Sequence, residues 1–207
     1  MRKLSFTLLL ALASICVSAK SVRELFVSMP NEMIPYLNEN MRTQLVDFAN
    51  NILRSDVINQ LGDTTIMHEL TDDFVSLTLS PASKMQIKRL PSTDGDSIVC
   101  VVQTYFGPCA ESNVTLFTQN WQKIDDINDA LKKHIPSMIV RPDTMSVERF
   151  DYLRKCIEPV MMQAELKQSS SDLVLSLSAP LLFRDDKNSA KSLFLQRNLK
   201  WNGKSFE

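Results

Sequence analysis

Two side chains of this sequence have the chemistry of a nucleophile and its base. Cys109 sits in Phe106-Gly107-Pro108-Cys109-Ala110-Glu111, where the Gly-Pro pair marks a loop between strands. A loop thiol beside Glu111 becomes a nucleophile when a histidine takes its proton. The chain has only two histidines, His68 and His134. His134 falls one residue before the end of a predicted helix, a position where the macrodipole by itself favours an imidazolium. No spacing ties it to Cys109, so a Cys109–His134 dyad is an alternative reading and no catalytic residue is assigned.

The remaining acidic and histidine pairs have plainer explanations. His68-Glu69 is followed by Leu70-Thr71-Asp72, which is not the H-E-x-x-H of a zinc helix. Asp72-Asp73, Asp125-Asp126 and Asp185-Asp186 read as a strand-opening turn, a helix start and a solvated loop. Asp94-Gly95-Asp96 looks like a fragment of a calcium loop, but lacks the closing Glu and is accounted for as a hairpin turn. The four glycines (Gly62, Gly95, Gly107, Gly203) are isolated, which excludes phosphate-cradling loops and the G-x-S-x-G elbow. No C-x-x-C exists, and neither a cofactor nor a metal is expected. Twenty-three basic residues against 24 acidic give no electrostatic case for nucleic acid. Trp121 and Trp201, each after an alternating strand, are the candidate binding surface, with core or rim packing as the plainer role.

The N-terminus carries the marks of export. Arg2 and Lys3 precede an uncharged, mostly apolar run from Leu4 to Val17, too short to span a bilayer comfortably. Val17-Ser18-Ala19 places compact residues at −3 and −1, so residues 1–19 are expected as a signal peptide cleaved before Lys20. An uncleaved anchor and a lipoprotein acylated at Cys16 are the alternatives, the latter opposed by bulky Ile15. No second segment is apolar enough for a transmembrane span. Cys100, Cys109 and Cys156 would remain, allowing either one bridge and one free thiol or three free side chains.

These residues must be positioned by elements whose periods are readable. Ser21 to Met29 and Met41 to Leu61 read as helices, the second with Leu45, Phe48, Ile52, Val57 and Leu61 on one stripe, Arg42 off it, and Gly62 as its C-cap. Four strands follow, at 73–80, 84–90, 97–105 and 113–121, joined by short turns into an antiparallel meander. Residues 97–105 are apolar on both faces in their first half, the mark of a central strand. Helical spacing returns at 125–135, stopped by Pro136, and at 146–158, stopped by Pro159, with a linker at 137–144 between them. Strands are expected at 160–167, 173–177 and 192–201, then an Asn202-Gly203 type I′ hairpin. The echo of Leu116-Phe117-Thr118-Gln119 in Leu193-Phe194-Leu195-Gln196 fits either a duplication or chance likeness of short strands. The expected fold class is α+β: antiparallel sheets with amphipathic helices on one face, in two similar helix-plus-sheet lobes, 20–136 and 144–207.

The ordered run Leu25-Phe26, Met29-Pro30, Ile34-Pro35-Tyr36-Leu37, Arg42, Leu45-Val46-Asp47-Phe48, Leu70-Thr71-Asp72-Asp73, 96–104, Pro108, Ser112 and Trp121 resembles an uncharacterised family of exported proteins from Bacteroides- and Prevotella-like bacteria. The resemblance spans most of the chain after residue 19 and carries no activity to any residue. It implies a Gram-negative envelope location, periplasmic or outer-membrane associated, which makes Asn113-Val114-Thr115 irrelevant as a glycosylation sequon. The expected function is a non-enzymatic interaction module binding an envelope protein or peptide at a sheet edge or concave sheet face. The alternatives are an envelope thiol enzyme or hydrolase using Cys109 with His134, and a structural envelope protein.

Overall fold

The computed structural model describes residues 20–51, 55–180 and 184–207; the expected signal segment, with Cys16, and the stripe position Ile52 lie outside them. The fold is α+β. Seven strands form one antiparallel meander in chain order: β1 (Asp56–Ile58), β2 (Thr64–Leu70), β3 (Phe74–Ser80), β4 (Ser83–Pro91), β5 (Ser97–Phe106), β6 (Ala110–Phe117) and β7 (Lys123–Asp126). Helices α1 (Val22–Val27) and α2 (Glu39–Asn50) cover one face. The other carries a three-stranded sheet in the order β10-β9-β8, from β8 (Met161–Leu166), β9 (Asp172–Ser178) and β10 (Arg197–Lys200). Helices α3 (Asn128–Lys132), α4 (Ile135–Met138), α5 (Val147–Cys156) and α6 (Arg184–Lys191) fill the connections.

Alternation builds two cores from the same strands. Val75, Leu77, Leu79, Met85, Ile87, Val99 and Val101 pack against Val22, Leu25, Phe26 and Leu45 of the helices. Phe74, Leu90, Cys100, Val102, Val114 and Leu116 face Met162, Ala164, Leu166, Leu173, Leu175 and Leu199 of the smaller sheet. The second core is therefore shared between the two ranges expected as lobes. Helix α1 opens with a capping box: Ser21 Oγ accepts from the Glu24 N–H and Glu24 Oε2 accepts from the Ser21 N–H at 2.7 Å. Arg42, read from the sequence as a polar-face residue, is instead 1% exposed, and its guanidinium donates to the carbonyls of Val27, Met29 and Leu37 and to Asn31 Oδ1. It clamps the proline-bounded segment between α1 and α2 by meeting three inward-pointing carbonyls.

Several expected boundaries are corrected. Helix α2 stops at Asn50, and residues 56–58 are a strand, so Gly62 is no helix cap; it sits at φ +87° in the β1–β2 turn. Buried Asn59 organises that turn, accepting from the Leu61 and Asp63 N–H groups and donating to the Leu79 carbonyl. Strand β6 starts at Ala110 and ends at Phe117, and Pro136 lies in the first turn of α4 instead of ending a helix. The expected linker is pinned: Val140 N–H donates to the Leu193 carbonyl and Leu195 N–H to the Met138 carbonyl. Residues 193–195 thus precede β10, whereas Leu116-Phe117 lie inside β6, so the two echoing segments occupy different structural positions. The closing hairpin has positive φ at Gly203 alone, which is not type I′. A Cβ at Gly203 would stand 2.6 Å from Thr93 Cγ2, so close approach to the β4–β5 turn also requires glycine there.

Candidate binding trough at the end of the large sheet

Two turns meet at one end of the seven-stranded sheet. The β4–β5 turn brings Asp94 and Asp96; the β6–β7 turn brings Gln119, Asn120 and Gln122. With Lys20 they line a groove of about 520 Å³. A second groove of about 220 Å³ adjoins it, lined by apolar Leu116, Ile127, Leu131 and Phe206, with Asp125, His134 and Lys204 at its rim. Ile98 and Ile124 belong to both, so the two form one trough, polar at one end and apolar at the other. Ile124 is the residue left unpaired by a bulge in β7 and is 49% exposed.

The β6–β7 turn is rigidly built. Thr118 Oγ1 accepts from the N–H groups of Asn120 and Gln122, and Trp121 N–H donates to the Thr118 carbonyl. Trp121 has φ 61°, left-handed backbone that a bulky L residue adopts only under outside constraint. The constraint is visible: Trp121 Nε1 donates to the Leu25 carbonyl at 3.2 Å, and its ring meets Phe117 edge-on at 5.6 Å. Trp201 does the matching work on the other side. Its Nε1 donates to the Pro91 carbonyl at 2.6 Å and its ring packs on Phe206, which holds the 202–206 hairpin over the apolar groove. Both tryptophans are half-buried. They brace the trough's walls and are not among the residues that line it.

The Cys109 and His134 side chains are not brought together. His134 lines the apolar groove beside Ile98, at the start of β5. Cys109 lies past the other end of β5, in a separate pocket of about 190 Å³ with Leu177, Phe194, Lys187 and Lys191. Roughly 25 Å of strand separates the two ends at about 3.3 Å per residue. His134 stands between α3 and α4, and burial followed by the nearby Arg197 lowers its pKa below 6.5; the expected helix-end stabilisation of its cation is thus reversed. Cys100, Cys109 and Cys156 are all unbridged; Cys100 is fully buried in β5, which pushes its thiol pKa up. His68 lies on β2, not a helix, with Nε2 2.7 Å from Thr78 Oγ1. Among the described residues no three His, Cys, Asp or Glu side chains gather as a metal group.

Sequence reasoning gave Ile98, Ile124, Gln119 and Lys204 no site role, because a trough formed by two turns and the C-terminal hairpin has no local signature. Asp186, read from the sequence as part of a solvated loop, is instead buried in α6 and ties that helix to α5. The Asp186 carboxylate accepts from Arg149 at 2.5 Å and from the Tyr152 hydroxyl at 3.3 Å. Tyr152 is pushed above its ordinary pKa, first by its hydrogen bond with Cys156, then by Asp186.

None of the sheet edges beside these sites offers a long open template. Strand β1 has three residues, and β7 has four, with Lys123 and the Ile124 bulge; shortness, lysine and bulges are the devices that blunt edges. Strand β8 is sealed by side chains of the large sheet, and β10 is met by Glu207, which exchanges both backbone hydrogen bonds with Lys200. Among the described residues the trough offers a concave surface that these short or covered edges do not.

A meander of seven strands with helices on one face and a second sheet on the other defines the protein's class as a two-core α+β domain. The chain belongs to the family described as "Protein of unknown function (DUF3256)", which matches residues 14–206. Its fold is similar to that of a domain of an uncharacterized protein from Porphyromonas gingivalis W83, at 19% identity and a TM-score of 0.72, over 92% of this chain and 98% of that one. No curated protein matches the chain.

Proposed function

We propose that the protein is an exported, non-enzymatic interaction module of the bacterial envelope, and that the trough receives an extended peptide segment of an envelope protein. The observation that carries this reading is the shared Ile98–Ile124 wall, which joins a polar groove to an apolar one. Such a pairing suits a peptide that places a polar group at Asp94, Asp96 and Gln119 and an apolar side chain against Leu116 and Phe206. The export part is supported by Arg2-Lys3, the apolar run 4–17 and Val17-Ser18-Ala19. The test is capture from detergent-solubilised envelope on the full chain and on Ile124→Asp, a half-exposed position whose change leaves the core intact. The expected result is a salt-resistant partner lost on Ile124→Asp and kept on Cys109→Ser. Capture indifferent to Ile124 contradicts the reading.

A second reading rests on the Cys109 pocket, which Lys187 and Lys191 also line, at the loop that carries the candidate nucleophile. It requires Cys109 to alkylate faster than Cys156 in the folded protein, and equal rates end it.

A further inference from the structure

We infer that the α-amino group of Lys20, once freed by cleavage after Ala19, is docked in the polar groove and forms part of its wall. This rests on the export reading above. Lys20 N–H donates to Gln119 Oε1 at 2.8 Å, its Nζ donates to the Gln119 carbonyl at 3.2 Å and to Asn120 Oδ1 at 3.0 Å, and its carbonyl accepts from Arg89 Nη1 at 3.1 Å. The next two residues are fixed as well, Ser21 by the capping box and Val22 by its N–H on the Asp72 carbonyl. Chain ends ordinarily fray unless tied down; Lys20 is tied at backbone and side chain by the β6–β7 turn and by Arg89 of β4.

Cleavage changes the chemistry of that nitrogen. A peptide N–H has one donor and no charge, whereas an ammonium has three donors and a positive charge. Gln119 Oε1 is already placed to accept one of them, and Asp94 and Asp96 line the same groove. The bond to Gln119 becomes charge-assisted and stronger. The mature groove then holds two cationic groups of one residue together with the Asp94 and Asp96 carboxylates, so processing adds one positive charge to its lining.

The experiment uses the full 207-residue chain, expressed with its own N-terminus in an exporting Gram-negative host. Intact mass gives the first residue, and acylation by an amine-reactive ester at neutral pH, read on the N-terminal peptide, gives the reactivity of the α-amine. The expected result is a chain starting at Lys20 whose α-amine reacts about tenfold more slowly than in the urea-unfolded protein, the factor of one charge-assisted hydrogen bond. Gln119→Ala restores the unfolded rate, and Gln119→Glu slows it further. A chain starting elsewhere overturns both the processing expectation and the docking. A chain starting at Lys20 with an unprotected α-amine overturns the docking alone.

Discussion

The face of the seven-stranded sheet under α1 and α2 and the face under β8–β10 are built from the same strands with different residues. Toward the helices, β3, β4 and β5 present Val75, Leu77, Leu79, Met85, Ile87, Val99 and Val101. Toward the smaller sheet, Phe74, Leu90, Cys100 and Val102 are interrupted by Gln86, Lys88 and Thr104, all buried. The difference follows from what each cover brings. A helix arrives with its backbone bonds made internally and needs only an apolar surface. An edge strand arrives with unpaired N–H and C=O groups, which must be met when it is buried. Gln86 meets both groups of Leu166, at 3.0 and 3.3 Å, and Ser112 meets both groups of Ala164 at the same two distances, backed by Thr104 at 2.8 Å. Lys88, 2% exposed at its side chain, donates to the Gln168 carbonyl at 2.8 Å, pairs with Asp73 at 3.2 Å and lies over the Phe74 ring. The polar residues of this face replace a missing neighbouring strand.

The sharpest way to break the comparison is at its exception, Arg42, the buried cation on the helix side. Arg42→Met should destabilise by about 3–5 kcal/mol, because three carbonyls and Asn31 lose a charged donor together. Arg42→Lys should rescue little, since an ammonium lacks the planar fork; urea unfolding measures both. On the sheet side, Gln86→Leu should cost about 2–4 kcal/mol by orphaning two backbone groups, with Ser112→Ala about 1–3. The exposed helix residue Gln44 is the control, Gln44→Leu falling within about 0.5 kcal/mol. If Gln86→Leu is equally mild, β8 does not depend on side-chain partners and the comparison fails.

The smallest effect is in pH. Burial raises the Asp73 carboxyl pKa, but the Thr71 hydroxyl and Lys88 outweigh it and hold it below 3.8. A carboxyl lowered by folding contributes stability above its unfolded value, lost as pH falls through the folded one. The difference in melting temperature between wild type and Asp73→Asn should therefore be steady near neutrality and shrink below pH 3.8. A difference that is unchanged into acid would mean that Lys88 is held by Gln168 and the Phe74 ring alone.

The central meander was legible because β3 to β5 alternate over seven or more residues, and β5 is apolar on both faces, as a strand between two cores must be. The first two strands were not, since Val57 and Leu61 continue the helical stripe of α2; the decisive signals were Asn50-Asn51, where the helix ends, and Asn59 with Gly62, which make the hairpin. Strand β7 is four exposed residues, and α6 is a polar run with too few apolar side chains to read as a core-facing helix. The tryptophans were found by type, but their roles depend on carbonyls 96 and 110 residues away. The trough itself exists only because two turns, the start of α1 and the C-terminal hairpin converge, which is tertiary information.

The measurement that bears most directly on the proposed role is site-specific photo-crosslinking in the native envelope, with the reactive group at Gln122 in the trough and, separately, at exposed Ile58 on β1. A trough that receives a partner segment predicts one discrete protein adduct from position 122 and none from position 58. Adducts from position 58 alone, or the same diffuse set from both, would contradict it.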